Sequence, residues 1–126
     1  MSAPKAHNPA FLALVNAAKS KVQEIDIAGY QRLRASGEPH ILIDTREDNE
    51  WNAGHAAGAV HLGKGIIERD IETKVPRKDT KLVLYCGGGY RSALAADALR
   101  QMGYTKAISL DGGWRAIQAS GLPIEK

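Results

Sequence analysis

Residues 81–92 read Lys-Leu-Val-Leu-Tyr-Cys-Gly-Gly-Gly-Tyr-Arg-Ser, which is an apolar run followed by three glycines. The run at 81–85 has no polar interruption, which is typical of a strand buried on both faces of a parallel sheet. From Ser92 to Met102 apolar residues recur at helical spacing, and Gly103 suits the C-terminal cap. A buried strand that turns tightly into an amphipathic helix is the basic unit of an α/β fold.

Similar strand and helix patterns alternate along the rest of the chain. The remaining strands are predicted at 22–25, 41–44, 59–62 and 107–110. The remaining helices are predicted at 9–18, from Asp26 to about Gly37, and at 47–53, 66–73 and 114–120. This alternation predicts an α/β fold with a central, mainly parallel sheet of about five strands flanked by helices. Ligands of such sheets lie beyond the C-terminal ends of the strands, where Cys86 is placed.

The length and composition suit one main domain. The chain has 126 residues, of which 44% are hydrophobic and 25% charged. We assign residues 1–21 to an N-terminal helix or extension, with Phe11, Leu14, Val15 and Ala18 on one face, and residues 22–126 to the domain. No apolar run is long enough to cross a membrane, and the run at 9–18 lacks the features of a signal peptide. We therefore expect a cytoplasmic protein that does not bind membranes.

Charge and metal-ligand patterns exclude several functions. The net charge of +3 is spread along the chain without a dense basic run, so nucleic-acid binding has no support. A single cysteine excludes an internal disulfide and a multi-cysteine zinc site. The four histidines, at 7, 40, 55 and 61, have no metal-ligand spacing. The sequence indicates no particular oligomeric state.

The glycine loop indicates a reactive cysteine. Three consecutive glycines cost chain entropy, but they allow the backbone to curl and to aim several N–H groups at an anion. The following helix N-terminus and Arg91 add positive charge. We therefore interpret Cys86 as a catalytic thiolate rather than an inert buried thiol. The candidate substrate-binding residues are the rest of the loop: Gly87, Gly88, Gly89, Tyr90, Arg91 and Ser92. Tyr90 either shapes the pocket rim or packs on the loop, and Ser92 is expected to cap the helix, with its hydroxyl toward the sulfur.

Four stretches resemble, in order and spacing, the motifs of the rhodanese-like sulfurtransferases. The loop at 85–92, with the alanine- and leucine-rich helix after it, is similar to the active-site loop of that family. The other three are Ile-Asp-Thr-Arg at 43–46 with Glu50, Gly-His-Ala-Ala-Gly-Ala at 54–59, and Leu-Asp-Gly-Gly-Trp at 110–114. Together they cover roughly residues 22–123.

The resemblance implies a rhodanese fold and a persulfide relay. Cys86 would take the outer sulfur of a small-molecule donor such as thiosulfate and pass it to cyanide or to a thiol. The lone cysteine cannot resolve its own persulfide, so the acceptor must be an external thiol or protein. Neither a metal nor an organic cofactor is needed.

The other motif residues have structural interpretations. We expect Asp44 and Arg46 to tie the sheet edge to neighbouring loops, with Glu50 as a further partner. His55 is interpreted as a hydrogen-bonding residue and Asp111 as a cap of the last helix. Trp51 and Trp114 are interpreted as packing residues.

Two other functions fit the lone cysteine. A cysteine phosphatase or arsenate reductase also places a thiolate beneath an anion nest closed by arginine. Its signature has one residue more between cysteine and arginine, which would require arginine at position 92, where this chain has Ser92. A sulfur carrier or redox sensor would load sulfur without efficient turnover.

Because the three glycines carry no charge, Arg91 faces a dianionic donor almost alone, and we expect only modest activity with thiosulfate.

Overall fold

Helices and strands alternate through the part of the chain that the computed structural model describes, residues 7–126. Residues 1–6, the beginning of the predicted extension, lie outside the described residues. The elements are α1 (Pro9–Lys19), β1 (Gln23–Ile25), α2 (Ile27–Ser36), β2 (Ile41–Asp44), α3 (Asp48–Ala53), β3 (His55–Ala56), β4 (Val60–His61), α4 (Ile67–Lys74), β5 (Leu82–Tyr85), α5 (Tyr90–Gln101), β6 (Ala107–Leu110), α6 (Gly113–Ser120) and β7 (Ile124–Glu125). No helix within residues 7–126 is long and apolar enough to cross a membrane.

Five of the strands form one parallel sheet. Their order is β1-β6-β5-β2-β4, and each neighbouring pair is parallel. This confirms the predicted α/β fold with a five-stranded sheet flanked by helices. β5 lies at the centre of the sheet, so Cys86 follows the strand with the most support on both sides. The antiparallel pair β3–β7 was not predicted, because strands of two residues show no periodicity.

Alternate residues of β5 pack into two cores on opposite faces of the sheet. Leu82 and Leu84 pack with residues of α4 and α5, whereas Val83 and Tyr85 pack with residues of α2 and α6. All four side chains are fully buried. Full burial of a side chain of this size contributes roughly 1.5–3 kcal/mol each, which fixes the end of the strand where the site begins.

Helix α5 begins two residues before the predicted start at Ser92. Gly89 adopts a positive φ of 105° as its N-cap, which is a conformation that glycine tolerates, and Tyr90 is the first helical residue. The prediction that Ser92 caps the helix is therefore wrong. Ser92 instead lies inside the first turn and is fully buried. Arg91 also belongs to that first turn.

Helix α1 packs against α5. Val15 and Ala18 are buried in this contact. Leu14, which was expected on the same face, is 60% exposed because the buried stripe of α1 is narrow. The assignment of residues 1–21 to a separate extension stays a prediction.

Candidate active site

Cys86 lies where β5 meets the glycine loop. The residue is 1% exposed, and the backbone N–H of Gly89 donates a hydrogen bond to Sγ at 3.1 Å. The positive φ of Gly89 turns the chain back over the sulfur before α5 begins. The loop therefore presents a backbone donor and a helix N-terminus to the sulfur, both of which favour negative charge there.

The beginning of α6 holds the loop from the other side. The N–H groups of Trp114 and Arg115 donate to the carbonyl oxygens of Cys86 at 2.7 Å and Gly87 at 3.3 Å. Gly113, with a φ of 50°, lies so close that a Cβ at this position would overlap the Cys86 carbonyl oxygen. The Asp-Gly-Gly-Trp motif thus supports the cysteine loop.

Asp111 does not cap α6, contrary to the prediction. The N-cap residue is Gly112, and no side chain caps this helix. The Asp111 carboxylate instead lies 3.7 Å from Lys19 Nζ of α1.

Two buried serine hydroxyls lie beside the sulfur. The Cys86 thiol is 3.6 Å from Ser92 Oγ, which shares a hydrogen bond of 2.8 Å with Ser109 Oγ. Both serines are fully buried. Ser109 was not singled out from the sequence, although a polar residue within the buried β6 strand next to β5 was a usable signal.

Arg91 pairs with Glu50 of α3. Its guanidinium donates to both carboxylate oxygens, at 2.8 and 3.2 Å. These hydrogen bonds raise the pKa of Arg91, and the nearby Cys86 acts in the same direction. The same bonds hold the pKa of Glu50 below its usual range. The charge of Arg91 is therefore largely balanced by Glu50.

Glu50 does not hydrogen-bond to Arg46, its expected partner. Arg46 instead pairs with Asp44 at 2.7 Å and donates to the Gly54 carbonyl oxygen, and both charged side chains are buried. The Arg46 guanidinium also lies 4.5 Å from the centroid of the Trp114 ring. These contacts tie the end of β2 to the segment before β3.

The aromatic motif residues have distinct surroundings. Trp51 stacks on His55 with a centroid distance of 3.4 Å, and His55 Nδ1 lies 3.0 Å from the Trp51 carbonyl oxygen. Trp114 stacks with Tyr85 at 6.3 Å and also lines the cavity above Cys86. Trp114 thus packs on Tyr85 and also borders the cavity.

The cavity above Cys86 has a volume of about 810 Å³. One wall of the cavity is formed by the rings of Tyr90, His7 and Phe11. The Tyr90 ring centroid lies 4.7 Å from that of His7 and 6.3 Å from that of Phe11. Tyr90 therefore both shapes the rim and packs. The remaining lining residues are Glu50, Cys86, Gly87, Gly88, Arg91, Trp114 and Arg115.

Arg115 brings a second cation to the cavity. Its guanidinium lies 3.3 Å from the point where a Cβ of Gly88 would stand. It forms no ion pair with any residue in 7–126, so its charge is available to an incoming anion. Arg115 was not among the predicted substrate-binding residues, which were all taken from the cysteine loop. The signal was its place one residue after the Asp-Gly-Gly-Trp motif, in the helix that follows the strand next to β5.

Within residues 7–126, no group of three or more His, Cys, Asp or Glu side chains is arranged to hold a metal ion.

The chain belongs to the rhodanese-like domain family, whose model matches residues 27–120. This match covers most of the sheet, the cysteine loop and helix α6. The resemblance seen in the motifs is therefore confirmed.

Relatives agree with this membership. A protein of Allochromatium vinosum named sulfurtransferase is 35% identical over 103 residues, which are 82% of this chain and 94% of that protein. The probable adenylyltransferase/sulfurtransferase MoeZ of Mycobacterium tuberculosis is 37% identical over 62% of this chain, which spans only 20% of MoeZ.

A solved structure from Rhodopseudomonas palustris superimposes with a TM-score of 0.82 at 30% identity. The match covers 98% of this chain and all of the other. That protein is described as of unknown function and a possible tyrosine phosphatase.

Proposed function

We propose that the protein is a sulfurtransferase of the thiosulfate sulfurtransferase type, with a persulfide on Cys86 as the intermediate. The observation that carries the proposal is the position of the Cys86 sulfur, beneath a cavity with two arginines and in a hydrogen bond from Gly89 N–H. The family and the name of the Allochromatium relative support this class of reaction.

In the first half-reaction the Cys86 thiolate attacks the outer sulfur of a donor such as thiosulfate. The new S–S bond forms as the donor's S–S bond breaks, and the electron pair leaves with sulfite. Arg91 and Arg115 stabilise the anionic donor and leaving group. We expect the N–H groups of Gly87 and Gly88 to join that of Gly89 around the persulfide anion, and Tyr90 forms the adjacent wall.

The second half-reaction transfers the outer sulfur to an external thiol, a protein acceptor or cyanide. Two separate half-reactions on one enzyme sulfur predict ping-pong kinetics. Ser92 lies beside the sulfur, where its hydroxyl donates to the thiolate when Cys86 is released. No metal or organic cofactor takes part. A relay that depends on one free thiol suits the reducing cytoplasm.

Thiosulfate remains a modest donor in this proposal. Glu50 offsets the charge of Arg91, so Arg115 is the cavity-lining cation without an ion-pair partner in residues 7–126, and it would meet the dianion. A thiol-bound sulfane sulfur carries less charge and needs less compensation.

The phosphatase function fits less well. The segment from Cys86 to Arg91 is one residue shorter than the phosphatase signature, and the Arg91 guanidinium is hydrogen-bonded to Glu50. A sulfur carrier without efficient turnover uses the same persulfide, so turnover separates it from the enzyme.

Intact-protein mass spectrometry after incubation with thiosulfate tests the proposal. The wild type should gain one sulfur atom and lose it to a thiol, whereas Cys86→Ser should gain none. Repeated transfer to cyanide in the steady state indicates an enzyme, and a single stoichiometric transfer indicates a carrier. A wild type that never gains sulfur but hydrolyses an aryl phosphate would refute the proposal.

A further inference from the structure

His7 places an imidazole in the wall of the cavity that contains Cys86. Its ring packs on two others, with centroid distances of 4.7 Å to Tyr90 and 5.4 Å to Phe11. It forms no hydrogen bond or ion pair with any residue in 7–126. The ring is thus held by packing while its nitrogens are not occupied by partners in that part of the chain.

The second half-reaction moves a proton, whereas loading from thiosulfate does not. A thiol acceptor must lose its proton before its sulfur attacks, and the outer sulfur of the persulfide anion must gain one. A base in the cavity that accepts the first proton and returns it to the outer sulfur would serve both steps.

The other ionisable groups around His7 are poorly suited to this task. A guanidinium group does not act as a base in proteins, which leaves out Arg91 and Arg115. Lys19, which lies 5.4 Å from the Tyr90 ring centroid, is paired with Glu24. Glu50 accepts two hydrogen bonds from Arg91, which weakens it as a base. Tyr90 offers a phenol rather than a basic nitrogen, and Cys86 carries the sulfur. Histidine is the side chain that exchanges protons readily near neutral pH.

We propose that His7 is the general base for the thiol acceptor, which extends the proposed sulfurtransferase function. The imidazole takes the proton of the thiol R–SH, and the electron pair of that bond forms a new S–S bond to the outer sulfur. The S–S bond of the persulfide breaks toward Cys86, and the imidazolium returns the proton to the outer sulfur. The products are R–S–SH and the Cys86 thiolate, so neither oxidant nor reductant is required.

Single-turnover kinetics on His7→Phe and His7→Gln test this role. Phenylalanine keeps the aromatic packing on Tyr90 and Phe11, and glutamine keeps a polar side chain, but neither is a base. Each variant is loaded with thiosulfate, freed of donor and mixed with free cysteine, and loss of the added sulfur is followed by mass spectrometry across pH. His40→Gln, a histidine outside this cavity, is the matched control.

Loading should match the wild type in both variants, whereas unloading at pH 7 should slow about 10–30-fold, since a thiol of pKa about 8.5 is only about 3% ionised there. The difference should vanish at high pH, and with trifluoroethanethiol, which ionises readily without a base.

Unloading of His7→Phe at the wild-type rate would show that the ring merely packs. Slower loading in both variants would assign His7 to donor binding, and either result overturns the inference. If the wild type itself fails to load, the proposed function fails instead.

Discussion

At the scale of a single residue, the pairing of Glu50 with Arg91 predicts that Glu50 reduces the positive charge met by a donor under the proposed function. Glu50→Gln removes the negative charge, while the amide oxygen can keep one hydrogen bond to Arg91. We expect the KM for thiosulfate to fall about fivefold, because one charge a few ångströms from a dianion in a partly solvated site contributes on the order of 1 kcal/mol. Steady-state assays measure this, and added salt should reduce the difference.

Asp97→Asn is the matched control for this prediction. It removes the same charge from the exposed Asp97–Arg100 pair of α5, outside the cavity lining, and should leave KM unchanged. A higher KM in Glu50→Gln would show that Glu50 acts by positioning Arg91 rather than by reducing its charge.

The same pair predicts a dependence of stability on pH. The pKa of Glu50 is lowered in the folded protein by its hydrogen bonds to Arg91. Its contribution to the free energy of unfolding is thus fully present above the unfolded value of about 4.3, and it is lost as pH falls through the lowered folded value. Because the Glu50 side chain is 33% exposed, we expect at most about 1 kcal/mol. Urea unfolding of wild type and Glu50→Gln should differ by a constant amount from pH 7 to 5 and converge below pH 4. A difference that grows toward low pH would contradict this assignment.

At the scale of elements, the contact between α6 and the cysteine loop depends on Gly113. Gly113→Ala should lower the free energy of unfolding by about 3–5 kcal/mol. The left-handed φ of residue 113 is unfavourable for alanine, and the added Cβ would also overlap the Cys86 carbonyl oxygen. Loading from thiosulfate should slow as the loop shifts. Urea unfolding and mass spectrometry measure the two effects.

Gly121→Ala separates backbone strain from overlap. Gly121 also has a positive φ, of 79°, but nothing lies within 4 Å of the point where its Cβ would stand. We expect a loss of about 1–2 kcal/mol and unchanged loading. Equal losses in the two variants would show that the contact with Cys86 carries no energy.

The elements show where sequence reasoning succeeds and where it stops. The strand at 41–44 was predicted with its observed bounds because its apolar run is continuous. The beginning of α5 was not predicted correctly, because the positive φ of Gly89 depends on a turn that the sequence pattern does not specify. The cysteine and its loop were found from local residue types. The pairing of Glu50 with the loop residue Arg91, and the places of Arg115 and His7 in the cavity, were not predicted, since Glu50, Arg115 and His7 join the site across long separations in the sequence.

At the scale of the whole molecule, removal of α1 tests whether residues 22–126 fold without it. A chain of residues 22–126 should keep the five-stranded sheet, with a free energy of unfolding lower by about 3 kcal/mol, since it loses the burial of Val15 and Ala18. Circular dichroism and urea unfolding measure this. It should still load sulfur, because Cys86, Arg91 and Arg115 are retained.

Val15→Ala in the full chain provides the comparison for this truncation. It should cost about 1–2 kcal/mol without changing the secondary structure. If residues 22–126 fail to fold while Val15→Ala remains stable, α1 is an integral part of the domain and the boundary after residue 21 is wrong.

The support of the Cys86 loop by α6 has a consequence for biosynthesis. Synthesis proceeds from the N-terminus at roughly 5–20 residues per second, so Cys86 leaves the ribosome a few seconds before Arg115. During that interval the backbone N–H groups of Trp114 and Arg115 cannot yet hold the loop. A nascent chain therefore carries Cys86 without the support of α6, and under the proposed function sulfur should load only onto a chain whose α6 has been translated and folded.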